Sequence, residues 1–122
     1  MEHIKDNDIL MSIQKRFLDG DSLAWSEMWV HTARVAEKML LFEARKYKLK
    51  ISHDFIQDMV QDISIYTLRR FKTKPGFCYR KNFTSNIYLN TLHFFYRNTN
   101  AQKFEKYIKT YSRPVACNTD FV

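Results

Sequence analysis

The chain is poor in the residues that bend and cross-link a backbone: its 122 residues include two glycines, two prolines and two cysteines. Glycine and proline together normally supply about 12% of a globular chain. Their scarcity starves β-hairpins of turn residues, so an all-α fold is expected. Cys78 and Cys117 lie far apart and neither sits in a Cys-x-x-Cys pair. That speaks against a disulfide scaffold and against a zinc site, and it suits a reducing cytoplasm. No apolar run approaches the ~20 residues of a bilayer span. Glu2, Lys5, Asp6 and Asp8 precede the first apolar cluster, so neither a signal peptide nor a membrane segment is expected. With Gly20 and Gly76 as the only glycines, a Gly-rich phosphate loop is excluded.

What the sequence does have is apolar and aromatic material, 45% and 16% of residues. That is enough to build one core, and the length allows one domain and little more. The net charge of +7 is unevenly spread. Residues Met1 to Ser64 carry nine Lys or Arg against eleven Asp or Glu, whereas Ile65 to Val122 carry eleven against two. Arg69, Arg70, Lys72, Lys74, Arg80 and Lys81 run without an acidic residue between them, and Arg97, Lys103, Lys106 and Lys109 follow. Such a basic half is the electrostatic footprint of a nucleic-acid binder. Tyr79, Phe83, Tyr88, Phe94, Phe95 and Tyr96 interleave with these charges, as stacking on bases would require. The plainer readings are a solvated basic surface, attraction to anionic lipid, and aromatics that simply fill the core.

Hydrophobic spacing predicts four or five helices. Ile9, Leu10, Ile13 and Phe17 set a first helix over Asp8 to Leu18, which Asp19-Gly20-Asp21 stops, with Gly20 suited to a positive φ. Asp21 or Ser22 can cap a long second helix, Ser22 to Lys48, whose apolar set includes Trp25, Met28, Trp29, Val35, Met39, Leu40 and Phe42. Ser52 can cap a third, faced by Ile56, Met59, Val60, Ile63 and Thr67 and ending near Phe71. Pro75-Gly76 marks an exposed basic loop from Lys72 to Lys81. Asn82 or Thr84 can cap a fourth helix with Ile87, Thr91, Phe94 and Phe95 on one face, and Phe104, Tyr107, Ile108 and Tyr111 repeat the pattern beyond a polar stretch, Asn98 to Asn100. The expected division is an N-terminal helix over 1–18, a helical domain over 19–112 and a tail over 113–122. The expected core holds Trp25, Trp29, Val35, Met39, Ile56, Met59, Val60, Ile63, Ile87 and Phe94.

On the third helix, Asp54, Asp58, Gln61, Asp62 and Ile65 fall opposite the apolar face, making an outward acidic stripe. A stripe of this kind can pair with Arg and Lys on a partner helix, with Ile65 as an apolar contact. An ordinary solvated face is the simpler account.

Two constellations in order, Gly20-Asp21-x-x-Ala24-Trp25-x-x-Met28-Trp29 and then Asp58-Met59-Val60-Gln61-Asp62-Ile63 with Asn82-Phe83 and an aromatic helix, carry a family resemblance. From Asp19 to about Tyr107 the chain resembles region 2 of bacterial RNA polymerase sigma factors of the sigma-70 type, especially the small extracytoplasmic-function class. The resemblance implies a region 2-like bundle that initiates transcription. Asp58, Gln61, Asp62 and Ile65 would contact the clamp helices of the polymerase largest subunit. Arg70, Lys72, Lys74, Tyr79, Arg80, Lys81, Asn82 and Tyr88 would hold the non-template strand of the promoter −10 element, with a base seated against a ring. It also implies a bacterial cytoplasm, host- or phage-encoded, and no cofactor. Asn86, Leu89 and Asn90 depart from the aromatic residues usual at their positions. No −35-reading domain follows the basic loop, so that recognition is expected from a separate protein, an activator or a phage-type arrangement.

Catalysis is not expected. His3, His31, His53 and His93 are scattered, and only His93 sits among basic and aromatic residues where a nuclease acid or base could act. Metal-ligand spacing is absent. The rival readings are a small basic helical DNA- or RNA-binding module that never meets a polymerase, and an adaptor whose basic loop binds an acidic protein.

Overall fold

Three short breaks, each built from a local capping device, divide residues 2–99 into four helices. The computed structural model describes residues 2–99, with side chains from residue 5 onward. It contains α1 (Glu2–Leu18), α2 (Leu23–Lys46), α3 (His53–Thr73) and α4 (Phe83–Asn98), and no strand among the described residues. The fold is therefore an all-α bundle. The helical repeat expected at Phe104 to Tyr111, the bend or break at Asn98 to Asn100, Cys117 and the tail over 113–122 fall wholly or partly outside the described residues.

At the first break Gly20 adopts φ +100° and closes a Schellman motif, its N–H donating to Phe17 O at 3.1 Å while Asp21 N–H donates to Arg16 O at 2.9 Å. Asp21 then starts α2, its Oδ1 accepting from Leu23 N at 3.0 Å; Ser22 makes no cap bond. Arg16 clamps the same corner, reaching Asp21 at 3.0 Å and Glu27 at 2.6 Å. The second break repeats the Schellman pattern with Lys48 at φ 55°, where Lys48 N–H donates to Arg45 O and Leu49 N–H to Ala44 O. Ser52 Oγ caps α3 by accepting from Phe55 N at 3.2 Å. In the third break Lys74 O accepts from Phe77 N at 2.9 Å across Pro75-Gly76, with Gly76 at φ 79°: a type II turn, which requires that positive φ. Asn82 Oδ1 caps α4 through Ser85 N at 2.9 Å.

Helix bounds differ from the sequence expectation at the ends. The first helix begins at Glu2 rather than Asp8, the second stops at Lys46 rather than Lys48, and the third runs on to Thr73. Charged residues do not stop a helix when one of them, here Asp6, is drawn into tertiary ion pairs: its carboxylate takes Arg34 and Lys38, both at 2.8 Å, from α2.

α2 and α4 each pack on the other three helices, and α1 meets α3 where the rings of Phe17 and Phe71 pack edge to face at 5.7 Å. Met28, Leu40, Ile63, Leu68, Phe83, Ile87 and Phe95 are fully buried between them, and α1 contributes Leu10 and Ile13 to the same core. Burying each large side chain contributes about 1.5–3 kcal/mol. Of the expected core, Val35, Met39, Ile56, Met59, Val60, Ile63 and Ile87 are buried. Trp25, Trp29 and Phe94 are only half-buried, and Phe42 is exposed. The correction has a geometric cause. A stripe wider than the contact between two helices leaves its margins open, and Trp25 and Trp29 occupy such a margin, packed edge to face at 6.5 Å.

Candidate nucleic-acid interface

The basic loop is shaped by two amides on α1. Gln14, buried, donates from Nε2 to Tyr79 O at 2.9 Å and accepts at Oε1 from Tyr79 N at 2.7 Å, as a neighbouring strand would. Seven residues earlier, on the same face of α1, Asn7 donates to Lys81 O and accepts from Thr84 N, both at 3.2 Å. These four bonds hold the backbone from Tyr79 to Thr84 against α1. Sequence reading missed both amides, because a lone Gln or Asn on a helix carries no signal of what its far side meets.

Tyr79 is consequently not a surface ring. It is 5% exposed, its hydroxyl donates to Thr67 O at 2.9 Å, and it packs edge to face on Phe71 and Phe77 and tilted against Phe83. Burial pushes its pKa up to about 12. The expectation that Tyr79 seats a base is corrected: a ring enclosed on its faces offers none to a nucleotide. Asn82 is exposed, but its side-chain oxygen is engaged by Ser85 N and by Thr84 Oγ1 at 2.8 Å. Its position is that of a cap.

Arg70, Lys72, Lys74, Arg80 and Lys81 are exposed, as is Arg69. Arg70 lies 5.6 Å from the Phe77 ring and Lys72 5.3 Å from the Trp25 ring, cation–π distances that order two long side chains at the surface. Beside them, where α3 meets α4, Tyr66 packs edge to face on Phe94 at 5.8 Å, and Asn90 donates to Thr67 Oγ1 at 2.9 Å. Tyr66, Asn90, His93, Phe94 and Arg97 line a hollow of about 40 Å³. A single water needs about 10–15 Å³ of such space, so the hollow holds a few waters, and a base could stack on the exposed Tyr66 ring there but could not be engulfed. Burial lowers the His93 pKa, which favours its neutral form.

Tyr88 lies on the other flank of α4. Its hydroxyl reaches Glu43 Oε2 at 3.4 Å, and burial with the Glu43 charge raises its pKa. Together with Asn82 it lines a groove between α1, α2 and α4, well away from Tyr66 and Arg97. The eight residues expected to act together on DNA thus divide into an exposed basic group, one core ring and two groove residues.

The acidic stripe is on the surface. Asp54, Asp58, Gln61, Asp62 and Ile65 are all exposed on the outer face of α3, and Arg69 and Lys72 continue the same face. Asp54, Asp58 and Asp62 are spaced four apart, so each neighbouring pair of carboxylates repels by about 0.2–0.5 kcal/mol. No ion pair within the described residues offsets this. The face therefore changes sign along its length, acidic for its first turns and basic at the end beside the loop.

Among the described residues no group of His, Cys, Asp and Glu could hold a metal ion, and no helix is long and apolar enough to cross a membrane. No protein-family model, no curated protein and no solved structure matches the chain.

Proposed function

We propose that this protein is a sigma-factor-like transcription initiation protein, which uses the outer face of α3 to bind the clamp helices of RNA polymerase and its basic end to hold single-stranded promoter −10 DNA. The observation that carries the reading is the row Asp54, Asp58 and Asp62, exposed and unneutralised beside Gln61 and Ile65. Three like charges in helical register work against the helix that bears them, and cations on a partner helix would relieve that repulsion. At the far end of the same helix, Arg69, Arg70 and Lys72 join Lys74, Arg80 and Lys81 as a phosphate-binding tract next to the exposed Tyr66 ring. The reading assigns no catalytic step to any residue and needs no cofactor.

Capture of purified bacterial RNA polymerase core by the immobilised chain is the direct test. Wild type should retain the core and the double variant Asp58→Lys, Asp62→Lys should not, while its far-UV circular dichroism stays unchanged. Failure of the wild type to retain polymerase, with single-stranded DNA binding intact, would leave the bare nucleic-acid module in its place.

A further inference from the structure

We infer that the outer face of α3 docks on itself: two copies of this chain pair through α3, antiparallel, about a two-fold axis at Ile65. The helix bears three carboxylates, Asp54, Asp58 and Asp62, and three cations, Arg69, Arg70 and Lys72; every acid precedes Ile65 and every base follows it. At about 100° per residue, Asp54, Asp58, Asp62, Ile65, Arg69 and Lys72 fall within an arc of roughly 80°. All six are exposed. The face therefore consists of an acidic arm and a basic arm, with the 42% exposed Ile65 side chain between them.

Neither arm is neutralised from within. Among the described residues none of the six charges of α3 stands in an ion pair, and Lys48 and Lys50, which precede the acidic arm in the chain, make none with it. Arg70 and Lys72 lie by the Phe77 and Trp25 rings, contacts that leave their charge uncompensated. The order of charge selects the occupant. A uniformly basic helix can satisfy only the acidic arm and a nucleic acid only the basic one, whereas a second α3, reversed end for end, satisfies both at once.

Register follows from the spacing. Asp58 lies seven residues before Ile65 and Lys72 seven after it, each about 10.5 Å along the axis. Asp62 lies three before and Arg69 four after. An antiparallel pair crossing at Ile65 thus sets Asp58 opposite Lys72 of the second copy and Asp62 beside its Arg69. The two-fold axis repeats both contacts around an Ile65 to Ile65 contact. A parallel pair would set carboxylates against carboxylates. Exposed ion pairs each contribute little, so the dimer is weak and salt-sensitive. It does not require the polymerase reading, but it covers Asp58, Asp62 and Ile65, so under that reading the paired form is withheld from the clamp helices.

Sedimentation equilibrium of the full chain at submillimolar concentration and low salt should show the mass rising from 14.8 kDa towards twice that value. Raising salt from about 50 mM to about 500 mM should weaken the association on the order of tenfold. Asp58→Lys with Asp62→Lys, and separately Arg69→Glu with Lys72→Glu, should each weaken it at least about tenfold, with unchanged circular dichroism. An equimolar mixture of the two variants should restore the dimer, because each then meets a face of opposite sign. In a Cys78→Ser, Cys117→Ser background, Ile65→Cys should oxidise to a disulfide-linked dimer and Asp54→Cys should not. A chain that stays monomeric at low salt, association untouched by either reversal, a mixture that fails to restore it, or cross-linking that favours Asp54→Cys overturns the inference. A wild type that dimerises yet fails to retain polymerase core removes the proposed function and leaves the dimer standing; retention of core by a strictly monomeric chain does the reverse.

Discussion

Gln14 and Tyr79 exchange two hydrogen bonds, side chain to main chain, across 65 residues of sequence. In this pairing a glutamine on α1 does for the basic loop what a neighbouring strand does for a sheet. The loop's backbone polar groups are buried there, and a buried N–H or C=O left without a partner costs about 1–3 kcal/mol.

Gln14→Ala should therefore destabilise the protein by about 2–4 kcal/mol, because both the N–H and the C=O of Tyr79 lose their partners at once. Urea denaturation monitored by circular dichroism measures it. A loss below about 1 kcal/mol would mean that the loop does not depend on α1.

Tyr79 links stability to alkaline pH. Its folded pKa is raised to about 12 against an ordinary value near 10, with burial as the main cause. Above pH 10 the unfolded chain releases this proton first, so the native state binds more protons and stability falls as pH climbs from 10 to 12. The contribution fully present below pH 10 is about 2–3 kcal/mol at most. Burial also raises the pKa of Tyr88 and Tyr96, so absorbance titration of the phenolates should show several late-ionising groups, one fewer in Tyr79→Phe, and the variant should lose stability less steeply over that interval. The variant's own cost near neutral pH should be about 1 kcal/mol, the bond to Thr67 O.

Lys48 sits at φ 55° at the αL position that ends α2, where glycine is the usual occupant. A side chain in that conformation costs about 1–2 kcal/mol, part of which glycine returns through the entropy of its unfolded state. Lys48→Gly should raise stability by about 0.5–1 kcal/mol, read as an increase of several degrees in thermal midpoint.

On DNA, neutralising about five phosphates of a single strand sets a salt slope near −3.5, which weakens binding on the order of 100-fold between 50 and 200 mM salt. Anisotropy with a labelled A/T-rich oligonucleotide should give that slope and a preference for the single strand over its duplex. Arg69→Gln with Arg70→Gln should lower the slope by about 1.5. Equal affinity for both DNA forms would argue against strand capture.

Tyr88 and Tyr79 illustrate why the candidate site was only partly legible in the sequence. Both are tyrosines interleaved with basic residues, and nothing local separates them. One stands half-open over Glu43 and the other lies under the loop, because they meet different neighbours across the bundle. Glu43 itself is fully buried on α2 with Oε1 unpartnered among the described residues, a placement that the polar character of glutamate argues against and that only packing reveals. The carboxylates of α3 were legible, since their spacing put them opposite a clear apolar face.

The sequence alone settled the features whose causes span a few residues. The absence of turn formers and the 3.6-residue spacing of apolar side chains decided an all-α chain. Gly20, Ser52, Pro75-Gly76 and Asn82 decided where helices break, because capping bonds close within one turn. Tertiary structure alone decided which aromatic rings are enclosed, that Asn7 and Gln14 fasten the loop, and that a trough opens between α1 and α4. Those outcomes depend on how helices distant in sequence meet, and the width of that contact, rather than any local preference, determines which edge of an apolar stripe is covered.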